Sequence, residues 1–131
     1  GMAAAESTFR FGACRPVDLD DVPNVELVQG CAQIRVLGRL RAVDCTTSSA
    51  TIGNGRVELE VDTSDLPSQM QPSLPGSLYM VFGELSRIRE QRPRLRARIV
   101  RLCDGLDEQL YRRALRVKNH YDARSIEDLT A

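Results

Sequence analysis

The chain predicts an all-β fold closed by one C-terminal helix: a five-stranded barrel in OB-fold order. Three observations lead there. A long stretch, Gln33 to Val43, alternates apolar and charged residues. A hairpin signal, Asn54-Gly55, and a second apolar hairpin rich in arginine follow it. After Gly105 the apolar period changes from two to about 3.6, the mark of an amphipathic helix.

Each element follows from its residues. In the first strand Ala32, Ile34, Val36, Leu40 and Ala42 share one face, and Arg35, Arg39 and Arg41 share the other. That pattern fits a half-buried strand. Gly38 interrupts the apolar face and marks a bend or bulge that lets one strand serve both halves of a barrel. Ala50 to Gly53 and Arg56 to Asp62 flank Asn54-Gly55, whose residues tolerate positive φ. In the second arm of this hairpin, Val57, Leu59 and Val61 oppose Glu58, Glu60 and Asp62. Ser64 to Pro75 holds Pro67, Pro72 and Pro75, which permit at most a short helical turn. Ser77 to Arg87 and Arg94 to Leu102 are the fourth and fifth strands. In the fifth, Leu95, Ala97 and Ile99 alternate with Arg94, Arg96 and Arg98.

Asp107 to His120 is the helix. Leu106, Leu110, Ala114, Val117 and Tyr121 form its stripe, which Tyr111 and Leu115 widen. Leu106 and Leu110 are expected to plug the barrel. Ala114, Val117 and Tyr121, flanked by Arg113, Lys118 and Arg124, carry the stripe on toward a partner. The expected division is an N-terminal arm over 1–29, a barrel with its helix over 30–122 and a flexible tail over 123–131. Phe9 and Phe11 alternate in the arm as if to pack on the barrel, and Pro16, Pro23, Asp18, Asp20 and Asp21 break its periodicity. An SH3-like barrel is the alternative architecture, and it accounts less well for the long bent first strand.

Composition narrows the function. In 131 residues, 18 basic side chains balance 18 acidic ones, which argues against a purely electrostatic nucleic-acid binder. The basic side is nearly all arginine, with Lys118 the one lysine, and arginine suits interfaces. Cys14, Cys31, Cys45 and Cys103 lie far apart without a C-x-x-C pair, so no metal site is expected and the thiols are expected to be reduced and buried. His120 is the single histidine, and no nucleophile elbow, phosphate loop or dinucleotide fingerprint accompanies it. The chain is read as a non-enzyme without cofactor or catalytic residues, and no segment is long and apolar enough to span a membrane.

Two binding surfaces compete. Seven arginines lie between Arg87 and Arg101, opposed locally by Glu90. As the fifth strand and its preceding loop, they meet phosphates in many OB-folds. Arg87, Arg89, Arg92, Arg94 and Tyr79 are therefore candidates for weak DNA contact. The alternative is that Glu58, Glu60 and Asp62 on the third strand neutralise Arg94, Arg96 and Arg98 on the neighbouring fifth. Aromatic residues for base stacking are few. Phe82 is read as core, and the isolated chain as a weak DNA binder. The other surface is the outer helix stripe.

The words IRVLGRL (Ile34 to Leu40), PGSLYMVFGEL (Pro75 to Leu85), RARIVRLCDGLD (Arg96 to Asp107) and NHYDAR (Asn119 to Arg124) carry a resemblance. From about Ile34 to Arg124 the chain resembles the smallest OB-fold subunit (Ten family) of the telomeric CST complex. The resemblance implies a telomere-capping subunit of the nucleus. Its main task would be pairing with the N-terminal OB domain of the middle, Stn-type subunit, in a heterodimer like the two smaller subunits of replication protein A. It also implies assembly with the large CST subunit, a contribution to binding telomeric G-rich single-stranded DNA, and indirect support of C-strand fill-in by polymerase alpha-primase. By its matching motifs it places Arg35, Tyr121 and Arg124 at the heterodimer contact. Together with the helix reading, the expected partner-binding set is Arg35, Leu110, Arg113, Ala114, Val117, Lys118, Tyr121 and Arg124. The alternatives are a free-standing single-stranded-nucleic-acid-binding OB protein and an OB adaptor of bacterial type with neither role.

Overall fold

The computed structural model describes residues 9–118. Its strands are β1 (Arg15–Pro16), β2 (Ala32–Asp44), β3 (Ser49–Gly53), β4 (Glu58–Asp62), β5 (Leu78–Arg87) and β6 (Pro93–Leu102). A helix, α1, covers 108–118. The sheet order is β1-β2-β3-β4-β6-β5, and β5 pairs back onto β2, so β2 to β6 close the expected five-stranded OB barrel. Closure removes the exposed edges that an open sheet would leave.

β2 serves both halves of the barrel, as its length and Gly38 suggest. Residues 32–39 pair with β5 and 39–44 with β3. The register shift falls between Leu40 and Ala42 rather than at Gly38. Gly38 has a different use: a Cβ there would sit 3.0 Å from Leu19 Cδ1 and 3.1 Å from Ile52 Cβ, so the glycine makes room for the arm.

The β3–β4 turn is longer than a two-residue hairpin. Gly53 pairs with Glu58, leaving four residues in the loop. The Asn54 side chain accepts from the backbone N–H groups of Arg56 and Val57, which holds both residues out of the strand.

β6 also departs from simple alternation. Gly83 pairs with Ala97 but Phe82 with Ile99, so Arg98 is an extra residue. The bulge turns Ile99 away from Leu95 and Ala97 and puts Val100 into the interior in its place.

The barrel interior holds Ile34, Val36, Leu40, Ile52, Leu59, Val81, Leu85 and Leu95 among others. Val17, Leu19, Val22 and Val25 of the arm belong to the same cluster, each at most 5% exposed. Full burial of such side chains contributes about 1.5–3 kcal/mol each. A second cluster lies on the outer face, where Cys14, Leu37, Leu78, Met80 and Phe82 are buried and Phe9, Ile99, Cys103 and Tyr111 pack against it. Phe11 stacks on Phe82 with centroids 4.4 Å apart. The arm and α1 thus cover the back of β5, which is why its sequence is apolar on both faces. Contrary to the expectation of buried thiols, Cys45 is exposed at the β2–β3 turn.

Candidate docking and nucleic-acid surfaces

Asp107 starts α1. Its Oδ1 accepts from Leu110 N at 3.0 Å, and its carbonyl accepts from Tyr111 N. The helix turns a different flank to the barrel from the one expected. Leu115 is 5% exposed and Tyr111 is half-buried, whereas the expected plugs Leu106 and Leu110 are 41% and 58% exposed. The correction has a physical cause. The two flanks are similarly apolar in sequence, and long-range contacts choose between them. Arg112 reaches Asp18 at 3.2 Å and Asp20 at 2.9 Å, while Glu108 lies 3.5 Å from Arg39.

This rotation leaves Leu110, Ala114 and Val117 as one exposed stripe at i, i+4 and i+7. Val117 is 56% exposed. Arg113 and Lys118 flank it and are exposed as well. Tyr121 and Arg124 lie outside the described residues, as does His120.

Beside the stripe runs a groove lined by Pro16, Arg35, Tyr111, Ala114, Leu115 and Lys118. Two donors face an unusual situation here. Arg35 Nε and the Tyr111 hydroxyl are buried, and neither has a hydrogen-bond partner among the described residues. A buried polar atom left unpaired costs about 1–3 kcal/mol. Burial also raises the pKa of the Tyr111 phenol, keeping it a neutral donor. The Arg35 guanidinium lies 6.0 Å from the Phe82 ring centroid. It is therefore no freely solvated surface arginine. The groove is suited to an acceptor from outside, a carboxylate or a carbonyl oxygen.

The candidate DNA residues do not come together. Arg87 donates to the carbonyls of Pro23 (3.0 Å) and Val25 (2.6 Å), holding the arm. Arg94 Nε lies 3.1 Å from Glu60 on the facing parallel rung. Arg96 pairs with Asp65 and Arg98 with Glu84, rather than with Asp62 and Glu58. Tyr79 is 6% exposed inside the barrel, and its hydroxyl accepts from Ser73 N and Leu74 N. Its ring is thus closed to a stacking base. Arg89 and Arg92 remain exposed at the hairpin tip, with no ion pair among the described residues. The tip is held open by left-handed backbone at Glu90 (φ 60°) and Gln91 (φ 62°).

The residues that sequence reasoning missed are Asp18, Asp20, Arg112 and Arg116. The arginines at i and i+4 gave a signal, since they share one helix face. Nothing local joined that face to the arm's acids. Among the described residues no group of His, Cys, Asp or Glu could hold a metal ion, and no helix is long and apolar enough to cross a membrane.

The chain matches a family model described as "Telomere-capping, CST complex subunit" over residues 12–125. Solved structures share its fold. The crystal structure of the S. pombe Stn1-Ten1 complex superposes with a TM-score of 0.65 at 12% identity, covering 82% of this chain and 92% of that one. The telomere capping protein Ten1 from Saccharomyces pombe superposes with 0.67 at 9% identity, covering 82% and 98%. The hypothetical protein ygiW from E. coli superposes with 0.52 at 8% identity, covering 68% and 90%. No curated protein matches the chain at the sequence level.

Proposed function

We propose that this chain, which belongs to the family of telomere-capping CST complex subunits, works by docking the N-terminal OB domain of the Stn-type middle subunit. The observation that carries this is the Leu110–Ala114–Val117 stripe, left exposed beside a groove whose Arg35 Nε and Tyr111 hydroxyl have no partner among the described residues. Arginine and tyrosine beside an apolar stripe are among the side chains enriched at interface centres. A partner helix laid along the stripe, with an acceptor entering the groove, would satisfy both donors. The likeness in fold to a chain of the Stn1-Ten1 complex supports the choice of partner.

Tyr121 and Arg124, which the resemblance implies at the same contact, lie outside the described residues. The heterodimer joins the large CST subunit at telomeres in the nucleus, supports fill-in by polymerase alpha-primase indirectly, and contributes modestly to holding G-rich single strands through Arg89 and Arg92. The chain acts by binding, with no chemistry of its own. A free-standing strand binder is less well supported. Among the described residues Arg89 and Arg92 stand at the tip without an exposed aromatic ring beside them, so they supply little of the roughly 1–3 kcal/mol per base that aromatic platforms give.

The test is capture of the middle subunit's OB domain by the full chain and by Val117→Glu. The variant is expected to lose binding about 30-fold or more, the conversion of the roughly 2 kcal/mol that defines an interface hot spot, and to keep the wild-type melting temperature. Undiminished capture contradicts the proposal.

A further inference from the structure

The apolar contacts of α1 do not fix its rotation. Leu115 is its one fully buried side chain, and Tyr111 is half-buried. Residues on a helix advance about 100° each, so Arg116 projects roughly 160° from Lys118. Arg112 and Arg116 thus leave α1 on the flank away from the groove. There they meet two carboxylates of the arm.

Those carboxylates are well anchored. Asp18 sits between Val17 (3% exposed) and Leu19 (2% exposed), both in the barrel core. Its own side chain is 3% exposed and accepts from Asp20 N at 3.1 Å and Arg112 Nε at 3.2 Å, with Arg116 at 3.7 Å. Asp20 accepts from Asn54 Nδ2 (2.8 Å), Arg56 (2.7 Å) and Arg112 (2.9 Å), with Arg116 at 3.8 Å. Three parts of the chain distant in sequence therefore meet at two acids: the arm, the β3–β4 turn and α1.

We propose that Asp18, through Arg112, is a positioning residue for the docking stripe: it sets the rotation of α1 against Arg35 without touching the partner. The arm thereby acts in partner binding from the far side of the helix. The inference rests on the docking reading above. Releasing the clasp leaves α1 held by Leu115, the half-buried Tyr111 and the Glu108–Arg39 pair, a looser seat in which the stripe and the groove no longer keep one orientation. Arg113 and Lys118 do not replace it, because Arg113 is exposed to solvent and Lys118 lines the groove.

The test uses the full chain with the middle subunit's OB domain. Asp18→Asn keeps the shape and removes the charge. Arg112→Gln removes the other half from a helix residue outside the barrel core, in case the first variant does not fold. Both are expected to weaken the complex about tenfold, the size of one lost charge-assisted hydrogen bond. In the free chain, both should raise hydrogen exchange across 108–118 while β2 to β6 stay protected. Arg112→Lys, which keeps the cation, should retain most of the affinity. Arg112→Gln leaves the buried Asp18 carboxylate with Arg116 at 3.7 Å, so the melting midpoint should fall. The loss of affinity should persist well below that midpoint, which a purely structural loss would not show. Wild-type affinity in both variants, with the wild type binding, overturns the positioning role alone. No binding by the wild type overturns the docking reading, and the positioning role with it.

Discussion

Arg94 stands opposite Glu60 on the parallel rung that closes the barrel, its Nε 3.1 Å from a Glu60 carboxylate oxygen. The pairing takes an arginine that resembles a phosphate ligand in sequence and assigns it to the seam between β4 and β6. Arg87 is similarly committed to the arm's carbonyls.

The basic hairpin should therefore divide under mutation. The double variant Arg89→Ala, Arg92→Ala is expected to flatten the salt dependence of G-rich oligonucleotide binding by the heterodimer. Loss of two phosphate contacts lowers the slope of log affinity against log salt by about 1.4. Arg94→Ala should leave that slope alone and cost about 0.2–1 kcal/mol of stability. Anisotropy titrations at several salt concentrations, with thermal melts, separate the two.

Gly83 is expected to be among the least replaceable residues of the barrel. A Cβ there would overlap the backbone carbonyl of Arg96 on the facing strand, at the bulge that redirects Ile99. Gly83→Ala should cost about 1–3 kcal/mol or more, the usual scale of overpacking against backbone. Gly105→Ala meets nothing within 4 Å and serves as the control. Urea unfolding of both variants checks the contrast.

Leu115 and Leu110 should exchange the roles that their spacing suggests. Leu115→Ala is expected to cost about 2 kcal/mol or more, because it empties the contact that seats α1. Leu110→Ala removes a side chain 58% exposed and should leave the melting temperature unchanged while weakening the complex. Calorimetry of the free chain and titration with the middle subunit measure the two effects.

Acid should loosen the helix before the barrel. Hydrogen bonding from Asn54, then attraction by Arg56, Arg112 and Arg116, lowers the pKa of Asp20 below its ordinary value. A carboxyl whose folded pKa is depressed stabilises the fold above its unfolded pKa of about 3.9, and that stabilisation is lost as pH falls through the folded value. Corrected for the intrinsic pH dependence of amide exchange, exchange in 108–118 should begin to rise as pH falls past about 4 and go on rising as it passes through the lowered pKa of Asp20. Asp20→Asn should raise exchange at neutral pH and flatten this acid response.

Most of the barrel was legible because alternation is a local signal. β2 and β5 each lie within one residue of the expected bounds at either end. What escaped was decided by contacts distant in sequence. Arg98 becomes a bulge because Gly83 admits the Arg96 carbonyl, and no pattern within β6 announces that. The arm reads as irregular, yet its Leu19 and Val22 are core residues, and Leu19 packs in the space left at Gly38. The docking surface was half legible. The stripe itself follows from helical spacing, but which of the two flanks turns to the barrel does not. Asp18, 94 residues away from Arg112, selects which flank stays exposed. The family resemblance supplied Arg35, whose half-buried place beside Tyr111 composition alone would not reveal.

The most direct measurement is hydrogen exchange of the full chain, alone and bound to the OB domain of the Stn-type subunit. The docking account predicts new protection across 108–118 and at Arg15 with the facing part of β2, and none at the tip around Arg89–Gln91. Protection confined to that tip, with α1 exchanging as it does in the free chain, would contradict it.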